Sequence, residues 1–166
     1  RGYIYRALGD TESALEDYSQ AITLEPENAN HYNARGIALR SLGRYDEALA
    51  DYAKAVELKP DDPDPYIGQA LAYNVLRRHE DALAAISTAL ELNPATANGY
   101  NIRGIINRNL GRFRAAIEDY TRAIDLDPDD SDYYIGRTLA YQALGRFDEA
   151  MDDANHAIQL DPTNGN

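Results

Sequence analysis

Cysteine is absent from the 166 residues of the chain. Its absence removes disulfides, thiolate catalysis and cysteine-based metal sites, and leaves the redox compartment open. Basic residues are scarce: 16 Lys and Arg face 28 Asp and Glu, for a formal charge of −12. Binding to a phosphate backbone wants a basic footprint, so no nucleic-acid partner is expected. No apolar run approaches the length that spans a bilayer, so no membrane insertion is expected either. Of the three histidines, His31, His79 and His156, none stands at metal-ligand spacing from another. Asp125, Asp127 and Asp129 begin like a calcium loop, but the glycine that should follow is missing and Gly136 holds the place of the closing glutamate. The glycines form neither GxGxxG nor a P-loop, and no Ser/His/Asp set can be assigned from spacing. No catalytic residue, metal ligand or cofactor is therefore expected.

What the chain does have is a period. Pro26, Pro60, Pro94, Pro128 and Pro162 recur at a constant 34-residue step. So do Ala14, Ala48, Ala82, Ala116 and Ala150, and Ala21, Ala55, Ala89, Ala123 and Ala157. Leu24, Leu58, Leu92, Leu126 and Leu160 repeat at the same step. A fixed period of this length means stacked supersecondary units. Within residues 29–62, Tyr32, Arg35/Gly36, Leu39 and Leu42 recur at helical steps. Gly43 then suits a left-handed helix end. Tyr45, Ala48/Leu49, Tyr52, Ala55/Val56 and Leu58 form a second apolar stripe, closed by Pro60. In register, this predicts helices near 1–8, 11–24, 29–42, 45–58, 63–76, 79–92, 97–110, 113–126, 131–144 and 147–160. Ala48 and Ala55 share a helix face, where small side chains let helices approach closely. His79 shares a column with Thr11, Tyr45, Phe113 and Phe147, which reads as packing or turn.

One copy runs Tyr32-x2-Arg35-Gly36-x2-Leu39, then Ala48-x3-Tyr52, Ala55 and Pro60. This resembles the tetratricopeptide repeat (TPR), and the resemblance covers the whole chain. It implies an all-α fold: a right-handed superhelical solenoid of antiparallel helix pairs, the first helix of each pair lining the concave side. Residues 1–166 are then a single array, with a partial repeat at 1–28 and repeats at 29–62, 63–96, 97–130 and 131–164. The family usually caps such an array with an extra helix, and stacked repeats need capped ends. Neither end shows a cap, so we expect a piece of a longer array, or association through an end. Tyr141 and Ile158 should then be exposed.

Two repeat types alternate. Repeats 29–62 and 97–130 match at 19 of 34 positions and 63–96 and 131–164 at 13, whereas the neighbours 29–62 and 63–96 match at 11, so the larger unit is a pair of repeats. Two charged columns also move together. Arg1, Arg35, Gln69, Arg103 and Arg137 stand where the family usually has Leu. Sixteen residues later stand Asp17, Asp51, Ala85, Asp119 and Asp153. The repeat that loses Arg loses Asp too, which predicts an ion pair between the two helices of one repeat. Charge is sorted by turn as well. Arg44, Arg78, Arg112 and Arg146 mark the turns inside repeats, and Glu25/Glu27, Asp61/Asp62 and Asp127/Asp129/Asp130 those between them. Solvated turns explain this; steering of a partner is the sharper alternative.

A second face of each first helix is a candidate peptide-binding groove. It carries Asn30, Asn33, Ile37, Arg40 and Ser41. Its counterparts are Asp64, Ile67, Leu71, Asn74 and Val75; Asn98, Asn101, Ile105, Arg108 and Asn109; and Asp132, Ile135, Leu139, Gln142 and Ala143. The family resemblance puts this face on the concave side. Its chaperone-tail binders clamp a terminal carboxylate with lysine and asparagine. Here Asn33, Ile67, Asn101 and Ile135 fill a key column without lysine, so that ligand is not expected. Amides, an apolar floor at Ile37, Leu71, Ile105 and Leu139, and Arg6, Arg40 and Arg108 suit an extended segment with apolar and some acidic side chains. Asn30 and Asp64 equally suit helix starts. The leading expectation is a non-catalytic scaffold for a protein or peptide partner. The alternatives are a regulatory or localising segment of a larger enzyme, and a self-assembling scaffold.

Overall fold

The structure, a computed structural model, describes residues 10–161. Among them nine helices form: α1 Thr11–Leu24, α2 Ala29–Ser41, α3 Tyr45–Leu58, α4 Pro63–Val75, α5 His79–Leu92, α6 Ala97–Asn109, α7 Phe113–Leu126, α8 Ser131–Ala143 and α9 Phe147–Leu160. No strand occurs among the described residues. The expected helix at 1–8, with Arg1 and Arg6, and the last proline, Pro162, lie outside them.

Caps set the boundaries. Each of α2, α4, α6 and α8 follows a short polar residue whose side chain accepts a first-turn N–H. Asn28 accepts from Asn30 at 3.1 Å, Asp62 from Asp64 at 3.1 Å, Thr96 from Gly99 at 3.4 Å and Asp130 from Asp132 at 2.9 Å. These helices end one residue before the predicted place, because Leu42, Leu76, Leu110 and Leu144 serve as C-caps. The chain then turns left-handed at Gly43, Gly111 and Gly145, with φ of +74°, +72° and +71°. The Gly43 N–H donates to the Arg40 carbonyl at 3.0 Å and the Arg44 N–H to the Leu39 carbonyl at 2.9 Å, the paired bonds of a Schellman motif. In α4 the same bonds form around Arg77, at φ +58°. The turns between repeats are tied down by tyrosines. The hydroxyls of Tyr32, Tyr66 and Tyr134 donate to the carbonyls of Pro26, Pro60 and Pro128 at 3.0, 3.3 and 3.1 Å.

The chain divides into two compact units between Leu92 and Asn93. In the first, α2 pairs with α3 and α4 with α5, α1 packs on α2, α3 packs on α4, and α2 runs beside α4. In the second, α6 pairs with α7 and α8 with α9, α7 packs on α8, and α6 runs beside α8. The alanine columns sit where helices meet. Ala48, Ala55, Ala82, Ala89, Ala116 and Ala123 are fully buried, and Ala150 and Ala157 nearly so.

Packing explains the alternation of repeat types. Tyr52 of α3 is fully buried between Gly36 of α2 and Gly68 of α4. A Cβ at Gly36 would meet the ring at 2.7 Å, and one at Gly68 at 2.5 Å. Tyr120 of α7 repeats the arrangement between Gly104 and Gly136 of the second unit, at 2.8 and 2.5 Å. In the other repeat type the tyrosine position holds Ile86 or Ala154, and the place of Gly36 holds Ala70 or Thr138. A smaller core residue admits a larger neighbour. Each pair of repeats thus alternates tyrosine–glycine packing with aliphatic packing.

Candidate peptide-binding face

The charged columns form the most polar part of each interior. Arg35 donates from Nε and a terminal nitrogen to the two carboxylate oxygens of Asp51, both at 2.8 Å. Arg137 holds Asp153 in the same bidentate way at 2.7 Å. Arg103 places Nε and a terminal nitrogen on one oxygen of Asp119, at 2.9 and 2.6 Å, and the Asn107 amide donates to the other at 2.8 Å. The carboxylates are out of water. The Asp51 and Asp119 side chains are 8% and 6% exposed, whereas Arg35 and Arg103 keep 27% and 29% of theirs in solvent. Hydrogen bonding to the carboxylate raises the Arg35 and Arg137 pKa further above the usual guanidinium value, against the opposing effect of burial. Each of these two arginines also reaches back to the preceding repeat, Arg35 to the Ser19 hydroxyl at 3.1 Å and Arg137 to that of Thr121 at 2.9 Å. Spacing could reveal the Arg–Asp pair because both members vanish together. Asn107 stands alone in its column and gave no such signal, whereas the hydroxyls share one column, Ser19, Ser87 and Thr121, which turns to Ala53 sixteen residues before Gln69 and so varies with the arginine. The expected fourth pair, Arg1 with Asp17, has its arginine outside the described residues. These arginines serve the fold.

The candidate face lies on the first helices. In unit one, Asn30 and Asp64 are exposed first-turn residues whose backbone N–H groups are capped by Asn28 and Asp62, so the capping expected of Asn30 and Asp64 falls to the residues two places earlier. Asn33, Ile37 and Arg40 follow along α2, and Ile67, Leu71 and Asn74 along α4, all half-buried. Ile37 packs against the core formed by α1, α2 and α3 while keeping part of its surface open. Asn33 Oδ1 and Arg40 Nε are shielded and make no hydrogen bond among the described residues. Asn74 differs: its side-chain oxygen lies 3.0 Å from His79 Nδ1, which ties the end of α4 to the start of α5.

In unit two, Asn98 and Asp132 are exposed at helix starts, and Asn101, Ile105 and Arg108 are half-buried along α6. Ile105 packs on the core of Ala116, Tyr120 and Ala140. Burial pushes the Tyr120 hydroxyl up to about 12, and the positive charge of Arg108 pulls the other way. On α8, half-buried Ile135 and exposed Leu139 line an apolar hollow of about 210 Å3 with Thr138, Ala154, Ala157, Ile158 and Asp161. Ile158 is 50% exposed, as expected. Tyr141 is not open: it is half-buried, and the Arg146 guanidinium lies 4.6 Å from its ring centre. Each unit thus sets two first helices side by side. Each carries amides and guanidinium groups around a partly open apolar floor. These groups can donate to, accept from and enclose a ligand. They include no nucleophile beside a base.

Family models described as tetratricopeptide repeat match residues 1–63, 39–104, 97–130 and 132–164. No curated protein matches the sequence. Among solved structures, a crystal structure of MamA is 24% identical, with a TM-score of 0.88, covering 98% of this chain and 95% of that one. MamA 41-end from Desulfovibrio magneticus RS-1 is 20% identical, with a TM-score of 0.89 and coverage of 98% and 92%. YrrB, described as a TPR protein with an unusual peptide-binding site, is 21% identical, with a TM-score of 0.80 and coverage of 98% and 84%. At these identities the likeness concerns the fold. Helix pairs at a 34-residue period and four family matches along its length make this chain a member of the tetratricopeptide repeat family.

Proposed function

We propose that the protein is a non-catalytic interaction scaffold that binds an extended peptide segment along the faces of its first helices. The observation that carries this reading is on α2. Asn33 Oδ1 and Arg40 Nε flank Ile37 with hydrogen bonds that stay unmade among the described residues. An unpaired shielded polar atom costs about 1–3 kcal/mol. After a side-chain rotation, the backbone of a bound segment would recover it. Asn101, Ile105 and Arg108 repeat the stripe on α6, one pair of repeats later. Ile37 and Leu71 supply the apolar floor in unit one, Ile105 and Leu139 that in unit two, and Arg40 and Arg108 favour acidic side chains in the segment. That YrrB is described as having a peptide-binding site agrees with this reading.

The test starts from a displayed library of short peptides, panned on residues 1–166. A selected peptide is then titrated against Asn33→Ala, Asn101→Ala and Arg108→Glu, with helicity checked by circular dichroism. We expect each variant to bind more weakly at unchanged helicity. Parent-like binding by all three, with binding lost on substitution of the second helices, would reject these faces as the site.

A further inference from the structure

We propose that the turn edge at Arg114 and Arg146 is a docking point for an acidic stretch of a protein partner. It lies apart from the first-helix faces, so it stands whether or not they bind a peptide.

Unit one shows the rule from which this edge departs. The arginine that precedes each second helix meets an acid three residues on: Arg44 with Glu47 at 2.7 Å and Arg78 with Asp81 at 2.8 Å. It also feels a first-turn acid of the preceding second helix. Glu12 acts in this way on Arg44, and Asp46 on Arg78. Glu12, Arg44 and Glu47 line one cleft. The turn edge is thus a ladder of alternating charge.

In unit two the ladder reverses. The column that holds Glu12, Asp46, Glu80 and Asp148 holds Arg114 in α7. The step that leads from Glu12 to Arg44 and from Asp46 to Arg78 leads from Arg114 to Arg146, so by the repeat Arg114 takes the place of the acid that Arg44 and Arg78 each feel. Helices α1, α3, α5 and α9 each begin with an acid in the first turn, and α7 has none. Arg114 is exposed, and the Arg146 side chain is 47% exposed although it pairs with Glu149 at 2.6 Å. Arg146 lies over the Tyr141 ring, which orients its guanidinium. Arg114 thus opposes the helix dipole, and the repeat sets it towards a like charge where the other repeats set an acid; both effects work against the fold.

Two neighbouring guanidiniums match carboxylates, which they hold through paired N–H donors. A charge of −12 repels a long polyanion, whereas a short acidic stretch can engage Arg114 and Arg146 while the more distant acidic residues are screened.

The experiment titrates a labelled oligoglutamate peptide with residues 1–166 at low and at physiological salt. We expect saturable, salt-weakened binding. Arg114→Glu should lower the affinity about tenfold or more and raise the melting temperature, and Arg114→Gln should do each to a smaller degree. Asp46→Arg, which copies the reversal into unit one, should add a second site. Absence of binding by the parent, equal affinity of both Arg114 variants, or a preference for phosphopeptide or single-stranded DNA over oligoglutamate would overturn the proposal.

Discussion

Asp51 accepts two hydrogen bonds from one guanidinium while its own side chain is 8% exposed. Asp51→Ala should therefore leave Arg35 facing a low-dielectric interior, at a cost of about 3–5 kcal/mol. Arg35→Leu combined with Asp51→Ala should cost less than the single change, since neither charge is then stranded. Chemical denaturation of the four proteins in the cycle measures this, and additive effects would show that the pair does not act as a unit. Tyr120 makes the opposite case. Its hydroxyl is buried and makes no hydrogen bond among the described residues. Tyr120→Phe should be neutral or stabilising. Its pKa is raised by burial to about 12 from an ordinary 10. The associated stability is complete below pH 10 and drains away as pH rises from 10 towards 12. Tyr133 is raised similarly, so Tyr120→Phe should lessen the alkaline loss of stability and not abolish it. At this scale the Arg–Asp pairs were legible because both members stay in register from repeat to repeat. The clamps around Tyr52 were not. Gly36 and Gly68 share no column, since a slide of one repeat sets Gly36 against Ala70.

Helix ends were legible almost to the residue, because prolines and glycines that cannot continue a helix recur in fixed places. The one-residue difference at α2, α4, α6 and α8 arises because a leucine can sit in the last turn of the periodic pattern and still act as the C-cap. The exception at Arg77 is informative. An L-residue in the left-handed region costs about 1–2 kcal/mol, part of which glycine gives back through its freer unfolded chain. Arg77→Gly should thus stabilise the protein by about 0.5–1 kcal/mol, and Gly43→Ala should destabilise it by a similar amount. Thermal melts of the two variants should move in opposite directions. Between helices the contacts are tighter. Gly68→Ala would drive a methyl group to within 2.5 Å of the Tyr52 ring. Overpacking there should cost about 1–3 kcal/mol. Retained stability would mean that α3 and α4 can move apart.

For the molecule as a whole, a 34-residue period reports helix pairs, since every repeat must bury the same stripe. It says much less about what binds, because residues that face a ligand are not bound by that repetition. Asn33 and Asn101 recur in alternate repeats while Ile67 and Ile135 take the places between. Sequence alone could not tell the floor isoleucines from core ones. Ile37 and Ile105 turn out to do both, packing inward while staying partly open. The sorted charges had a local cause in part, since three of the four turn arginines are met by an acid three residues on. The central claim is that the first helices carry the binding face. Amide chemical-shift mapping tests it most directly, with the library-selected peptide added to isotope-labelled protein. We expect the shifts to concentrate on α2, α4, α6 and α8, around Asn33, Ile37, Asn101 and Ile105. Shifts confined to α1, α3, α5, α7 and α9 would contradict it.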